Sequence, residues 1–259
     1  MVFIVGAGPG AEDLITVRGL KLLQKADLVI YAGSLVNPGL LKETKPGCRI
    51  LDSAKMTLEE VIEEIVQAEN KGMTTIRLHT GDPCIYGAIR EQMDELEARN
   101  IPYQICPGVS SFCGAAAALL MEYTLPEVSQ SVVITRMQGR TGVPEKESIG
   151  SFAAHQATMV IFLSAGMVEE LSERLLAGGY RKDTPAAIVY KASWPEEETY
   201  VCTVGTLAET ARSHQITKTA LILVGDVIAH SHYRRSDLYR PGFETGFRKA
   251  EVEPSQGER

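Results

Sequence analysis

The sequence predicts an α/β protein of two domains, and three observations carry that prediction. Strand-like runs at residues 2–5, 75–78 and 103–106 each end in a loop of small residues, with a helix-like stretch further on. A second succession of strand-like and helix-like stretches occupies residues 131–224. Between them, residues 122–130 contain Leu125-Pro126 and have no period, as a linker would. The expected domains are 1–122 and 130–229, followed by a polar tail, 230–259, expected to be partly disordered past Lys249. A chain of 259 residues can bury a sizeable core in either one large domain or two compact ones.

In chain order, residues 2–5 form the first strand and lead into Gly6-Ala7-Gly8-Pro9-Gly10. A glycine-rich loop after a first strand suggests a dinucleotide fold. The fingerprint, however, needs a third glycine where Ala11 stands, and Pro9 has no N–H to offer a pyrophosphate. Thr16 is the expected N-cap of a helix through Val17, Leu20 and Leu23. The next strand, Leu28-Val29-Ile30-Tyr31, runs into Ala32-Gly33-Ser34 with no acidic residue at the usual ribose position. The loop is therefore expected to admit close approach, though not by a dinucleotide.

Residues 57–71 form the clearest helix. Thr57 and Glu60 make a capping box, Leu58, Val61, Ile62, Ile65 and Val66 make one apolar stripe, and Gly72 is the stop. The strand at 75–78 then enters Thr80-Gly81-Asp82-Pro83-Cys84-Ile85-Tyr86-Gly87, and a helix runs on through Leu96 to near Asn100. On its own this stretch fits an ordinary strand-to-helix turn, since Gly, Asp and Pro are common turn formers. The strand at 103–106 ends in Pro107-Gly108-Val109-Ser110-Ser111, before the small-residue helix Gly114-Ala115-Ala116-Ala117-Ala118-Leu119-Leu120. Three such loops at the carboxyl ends of neighbouring strands would line one crevice, where α/β sheets bind small ligands.

The second half reads as strands at 131–135, 158–163, 186–190, 199–203 and 220–224. A helix through Val168, Leu171 and Leu175 stops at Gly178-Gly179, and another spans 207–212. The sole tryptophan lies in the inter-strand loop Lys191-Ala192-Ser193-Trp194-Pro195.

Composition narrows the function classes. With 44% hydrophobic and 23% charged residues the chain resembles an ordinary soluble protein. Its formal net charge of −7 argues against a general nucleic-acid binder. No run approaches a membrane span, and residues 1–6 lack the basic region of a signal peptide. Five cysteines with no CxxC pair fit reduced thiols in the cytosol, so a cytoplasmic location is expected. No metal site is expected: His230-Ser231-His232 has no Cys or carboxylate set to complete it and is read as a solvated tail. His79, beside the Gly-Asp-Pro loop, is either a base or a pocket-lining and packing residue. The absence of a nucleophile elbow, a zinc helix or a P-loop leaves group transfer from a bound cofactor, where positioning can supply ~7–11 kcal/mol.

The ordered set Val5-Gly6-Ala7-Gly8-Pro9-Gly10, Asp13-Leu14-Ile15-Thr16, Thr80-Gly81-Asp82-Pro83 and Pro107-Gly108-Val109-Ser110-Ser111 resembles the tetrapyrrole (corrin/porphyrin) methyltransferase superfamily. Three further stretches are similar to the branch that methylates C11 of precorrin-4 or cobalt-precorrin-4 in cobalamin synthesis. They are Tyr31-Ala32-Gly33-Ser34-Leu35-Val36, Thr135-Arg136-Met137-Gln138-Gly139-Arg140-Thr141 and Tyr190-Lys191-Ala192-Ser193-Trp194-Pro195. The resemblance runs from Val2 to about Asp226.

That resemblance implies two α/β domains with S-adenosyl-L-methionine in the cleft between them, a tetrapyrrole substrate and a homodimer. It implies cofactor-binding roles for Pro9, Gly81, Asp82, Ile85, Ser110, Ser111, Leu163, Ala192, Ala220 and Leu221, with Asp82 near a cationic part of the cofactor. Because the substrate carries several carboxylates, Arg136 and Arg140 are expected to anchor it, with Arg18 and Lys191 as further candidates. Related enzymes place an Asp in the stretch matching Ala32-Gly33; this chain has none, and Lys55 is only near the position of a proton-handling lysine. No catalytic side chain is assigned. The alternatives are methylation at another ring carbon or of a protein side chain, or nucleotide or tetrapyrrole binding without catalysis.

Overall fold

Two five-stranded sheets organise the chain in the computed structural model, which describes residues 1–229 and 233–250. In the first half β1 (Val2–Gly6) leads through a short 3₁₀ turn, Glu12–Leu14, to α1 (Val17–Leu23). Thr16 caps α1, its Oγ1 accepting the Gly19 N–H at 3.0 Å. β2 (Leu28–Tyr31) and β3 (Arg49–Asp52) follow, then α2 (Leu58–Glu69) with both halves of the Thr57–Glu60 capping box formed. β4 (Thr75–His79), α3 (Arg90–Ala98), β5 (Tyr103–Cys106) and α4 (Ser111–Ala118) complete this half.

The first sheet has the order β3-β2-β4-β1-β5 and is parallel throughout. All its carboxyl ends therefore lie on one edge. The loops after β4, β1 and β5 stand side by side there, the neighbourhood expected from the three small-residue loops.

The second half contains β6 (Val132–Arg136), α5 (Ile149–Ala153), β7 (Thr158–Phe162) and α6 (Val168–Ala177). It ends with β8 (Pro185–Tyr190), β9 (Glu198–Thr203), α7 (Leu207–Ser213) and β10 (Ala220–Val224). The order is β6-β7-β10-β8-β9, with β6 and β7 parallel and the other neighbours antiparallel.

Each sheet is covered on both faces. In the first, Val5, Leu23, Val29 and Ile76 pack on one side and Leu28, Ile30, Ile65 and Leu96 on the other. In the second, Met159, Ile161, Leu171 and Ile222 form one core. On its opposite face Val160, Val189 and Leu223 pack with Ala115 and Leu119 from the α4 region. The small-residue helix thus follows the first sheet in sequence and buries its side chains against the second. Its composition has a steric cause: a Cβ on Gly114 would lie 3.1 Å from the Pro9 Cβ and 3.5 Å from the Ala192 Cβ.

Two elements go beyond the sequence expectation. β3 is a four-residue edge strand whose Arg49 and Ile50 are exposed, so it carries no buried alternation. α5 is five residues long with Gly150 inside it, too short to show a period. The His230-Ser231-His232 reading and the tail beyond residue 250 lie outside the described residues.

Candidate functional site

The loops after β1, β4 and β5 are held together backbone to backbone. A Cβ on Gly6 would sit 2.6 Å from the Gly108 Cα and 2.6 Å from the Gly81 carbonyl oxygen, so only glycine fits. Gly8 and Gly81 exchange hydrogen bonds, the Gly81 N–H donating to Gly8 O at 2.8 Å and the Gly8 N–H to Gly81 O at 3.3 Å. Both have positive φ, +83° and +60°, the region that favours glycine.

Asp82 fastens the cluster. Its Oδ1 accepts the Cys84 N–H at 2.8 Å and its Oδ2 accepts the Gly108 N–H at 2.8 Å. Partial burial pushes the carboxyl pKa up, but the hydrogen bonds from Cys84 and Gly108 outweigh it and hold the group below the usual carboxylate value. Asp82 is thus an ionised strut between two loops.

The second half closes over the first loop. Trp194 Nε1–H donates to Pro9 O at 3.1 Å, and the Ala11 N–H donates to Ser193 Oγ at 3.0 Å. A Cβ on Gly10 would run into the Trp194 indole. The glycine-rich loop therefore does admit close approach, by an indole and by other loops of the same chain.

Between the halves lies a cleft of about 530 Å³. From the first half it is lined by Pro9, Gly81, Asp82, Ile85, Ser110 and Ser111, and from the second by Leu163, Ala192, Ala220 and Leu221. All ten positions implied by the resemblance as cofactor-binding thus face one cavity. So do Thr80 and Tyr86, which lie in the quoted motifs without an assigned role, and Phe162, Gly166 and Thr217 to Thr219, which carry no local sequence signal.

Two features leave backbone groups open to this cleft. The β7–β10 ladder ends at the pair Ile222–Ile161, so β10 has no β7 partner along Ala220 and Leu221. There the chain turns away at Leu163, in a left-handed conformation with φ +53°. Lys191 and Thr219, at +46° and +54°, share that conformation on the rim, a clustering typical of functional sites. At the start of α4, among the described residues, the Ser111 and Phe112 amides have no acceptor. They present donors and the positive end of a helix dipole beside Ser110.

The expected substrate anchors are dispersed. Lys191 lines the cleft, its Nζ 3.4 Å from Glu196 and over the Trp194 ring. Arg136 does not line it; its guanidinium donates to the carbonyls of Met137, Thr141 and Gly142 and so shapes its own loop. Arg140, in that loop, and Arg18, on α1, are exposed and outside the cleft, as is Lys55. His79 is buried beside the cleft, where burial first and the Arg77 charge second push its pKa down to about 3. A group held neutral so firmly is a poor general base near neutrality.

The described residues contain no group of three or more His, Cys, Asp or Glu side chains arranged to hold a metal, and no helix long and apolar enough to cross a membrane. A family model described as tetrapyrrole (corrin/porphyrin) methylases matches residues 1–208. The chain is 51% identical over 249 residues to a cobalt-precorrin-4 C(11)-methyltransferase of Methanocaldococcus jannaschii, covering 96% of both chains. It is 44% identical over 239 residues to a precorrin-4 C(11)-methyltransferase of Mycobacterium tuberculosis, covering 92% of this chain and 95% of the relative. Among solved structures, a cobalt precorrin-4 methyltransferase superposes with a TM-score of 0.86 at 44% identity, covering 88% of this chain and 95% of that one.

Proposed function

The chain belongs to the tetrapyrrole (corrin/porphyrin) methylase family, and from that premise we propose that it transfers a methyl group from S-adenosylmethionine to C11 of precorrin-4 or cobalt-precorrin-4 in cobalamin synthesis. The observation that carries this reading is the single cleft lined by backbone from both halves of the chain. Its volume, about 530 Å³, falls in the ~300–1,000 Å³ range of sites for ligands of this size. The donor set fits such a molecule: open amides at the start of α4 for an amino-acid carboxylate, and unpaired strand backbone at Ala220 and Leu221 for a base edge. Small and apolar side chains, Ala192, Leu163 and Leu221, make the walls.

When bound, S-adenosylmethionine supplies an electrophilic methyl group on a sulfonium. The protein's part is placement and exclusion of water. Asp82 holds the Gly81 and Gly108 loops at fixed separation, and Trp194 holds Pro9 against the second half. Leu163, Phe162 and Tyr86 cover the rim, with Tyr86 and Phe162 in ring contact at 5.5 Å between centroids. None of these steps uses a side-chain nucleophile.

In the same reading, residues 1–122 and 130–229 act as two domains, and the protein is a homodimer, as the family resemblance suggests, in the cytoplasm, as its five cysteines without a CxxC pair suggest. Analytical ultracentrifugation tests the dimer; a monomer at working concentration would remove it. The reaction is tested by incubating the protein with methyl-labelled S-adenosylmethionine and precorrin-4, with and without cobalt, and locating the label by NMR. Label at C11 is expected. A methyl at another carbon, or no transfer, overturns the specific assignment.

A further inference from the structure

β4 is an inner strand of a parallel sheet, flanked by β2 and β1 and covered on both faces, a position normally occupied by apolar residues alone. Ile76 and Leu78 meet that rule. The alternate residues Thr75, Arg77 and His79 do not, yet they are 0%, 7% and 4% exposed. They form a buried polar stripe that runs toward the edge carrying the cleft.

The stripe is incompletely satisfied. Arg77 Nε donates to Gln92 Oε1 at 2.9 Å, Nη1 to Ile30 O at 2.9 Å and Nη2 to Ser53 Oγ at 3.0 Å. All three acceptors are neutral, and among the described residues no carboxylate lies within 4.0 Å of the guanidinium. A guanidinium has five N–H donors, so two remain, and the charge is buried without a counter-ion. Desolvation pushes its pKa down to about 10, which still leaves it cationic at neutral pH. Two buried side-chain polar atoms of the described residues have no hydrogen-bond partner, Thr75 Oγ1 and His79 Nε2, and both are on this stripe.

Arg77 and His79 line a second cavity of about 270 Å³. It shares Leu35, Thr80, Ile85 and Tyr86 with the main cleft, so the two spaces adjoin across that wall. Its one acidic lining residue, Glu91, is exposed and therefore solvated, leaving the interior with a net positive charge.

We propose that this annex seats one carboxylate arm of the tetrapyrrole substrate, with the spare Arg77 N–H groups on its oxygens and His79 Nε2–H as the remaining donor. A carboxylate is the group that fits: it is anionic, accepts several hydrogen bonds and donates none. It would neutralise the buried cation and satisfy the orphaned nitrogen together. The proposal rests on the methyltransferase reading for the identity of the substrate, and it adds a subsite that fixes which edge of the macrocycle enters the cleft. Arg77 and His79 then set substrate orientation, the role that the sequence reading gave to Arg136 and Arg140.

The direct test follows the imidazole nitrogens of His79 by ¹⁵N NMR in the full-length protein, the signal identified by its loss in H79Q. Propionate should shift it saturably, while propionamide, the same shape without charge, should not; R77M should abolish the response. An equal response to both probes, or none, overturns the proposal.

In the transfer assay, H79Q and R77M should raise KM for the tetrapyrrole by about 10- to 100-fold, as expected for lost charge-assisted bonds. Their dissociation constants for S-adenosylmethionine should stay within about 2-fold of the parent, because the annex adjoins the cofactor cleft without carrying its donors. Unchanged KM values overturn the proposal. If R77M does not fold, H79Q carries both measurements. A wild-type protein that transfers no methyl but still responds to propionate through His79 fails the reaction reading and keeps the anion subsite. Transfer to C11 with a silent His79 does the reverse.

Discussion

Asp82 Oδ2 accepts the Gly108 N–H at 2.8 Å, joining the loop after β4 to the loop after β5 across the end of β1. Its other oxygen is taken by the Cys84 N–H. The carboxylate thus ties two of the loops that line the cleft. Three glycines meet at the same point: a Cβ on Gly6 or Gly108 would collide with the Gly81 carbonyl, while Gly81 itself is held in the left-handed region, at φ +60°.

Replacing Asp82 by Ala frees two backbone donors and one loop-to-loop tie. Each charge-assisted bond contributes about 1.5–3 kcal/mol at most, less where the group is partly solvated, so the expected loss of stability is about 1–3 kcal/mol. The expected loss of S-adenosylmethionine affinity is about tenfold. Asp82→Asn keeps one acceptor and should fall between the two. Isothermal titration with both variants measures this; a dissociation constant unchanged in Asp82→Ala would show that the tie does not matter for binding.

Trp194 reports on the cleft. It is the only tryptophan, and its Nε1–H is bonded to the carbonyl of Pro9, a residue of the cleft wall. Adding S-adenosylmethionine should change its emission, with a titration curve that matches calorimetry. In Gly10→Ala the added methyl group occupies the space of the indole ring. The ring is then displaced, emission shifts to the red and cofactor affinity falls. An emission spectrum of Gly10→Ala identical to the parent's would contradict the packing described.

The sequence made the parallel first sheet legible because β1, β4 and β5 are short strand-like runs that each end in a glycine-containing loop. It made α2 legible because a capping box and an apolar stripe coincide there. β3 and α5 were hidden, one by exposure at a sheet edge and one by its five-residue length. In the site, the ten lining positions came from the family resemblance, and Leu163, Ala220 and Leu221 lie outside every quoted motif. What Asp82, Arg136 and Trp194 bond to depends on partners distant in the chain, or on the path of a loop, and no local pattern encodes that. Arg77 stood out only as a polar interruption of its strand, and His79 only as a residue beside the Gly-Asp-Pro loop. Their unsatisfied donors became visible once the neighbours of β4 were known.

Two glycine substitutions should have opposite signs. A Cβ on Gly108 would lie 2.7 Å from the Gly6 Cα and would collide with the Gly81 carbonyl, backbone that cannot swing aside. Gly108→Ala should cost at least about 2 kcal/mol and weaken cofactor binding. Gly150 lies inside α5, with no atom within 4 Å of a built Cβ and no positive φ. Gly150→Ala should stabilise the protein by about 0.5–1 kcal/mol through the entropy of the unfolded chain. Urea unfolding of both variants checks the pair, and destabilisation by Gly150→Ala would contradict the geometry at α5.

His79 gives the protein a stability that depends on pH in a window well above carboxylate titration. In the unfolded chain its imidazole takes up a proton below about pH 6.5; in the folded protein it stays neutral until about pH 3. Between these values the unfolded state holds the extra proton, so stability rises with pH and is lost as pH falls. The slope contributed by one such group is about 1.4 kcal/mol per pH unit, or about 2 kcal/mol between pH 6.5 and pH 5. Asp82, held below the usual carboxylate value, loses its contribution only further into the acid range, and comparison with His79→Gln isolates the imidazole. Urea unfolding at pH 7, 6 and 5 should therefore show a steeper acid loss in the parent than in His79→Gln, whose neutral amide binds no proton. Equal slopes would mean that the imidazole is protonated in the fold, and a charged His79 beside Arg77 would require an anion already resident in the annex.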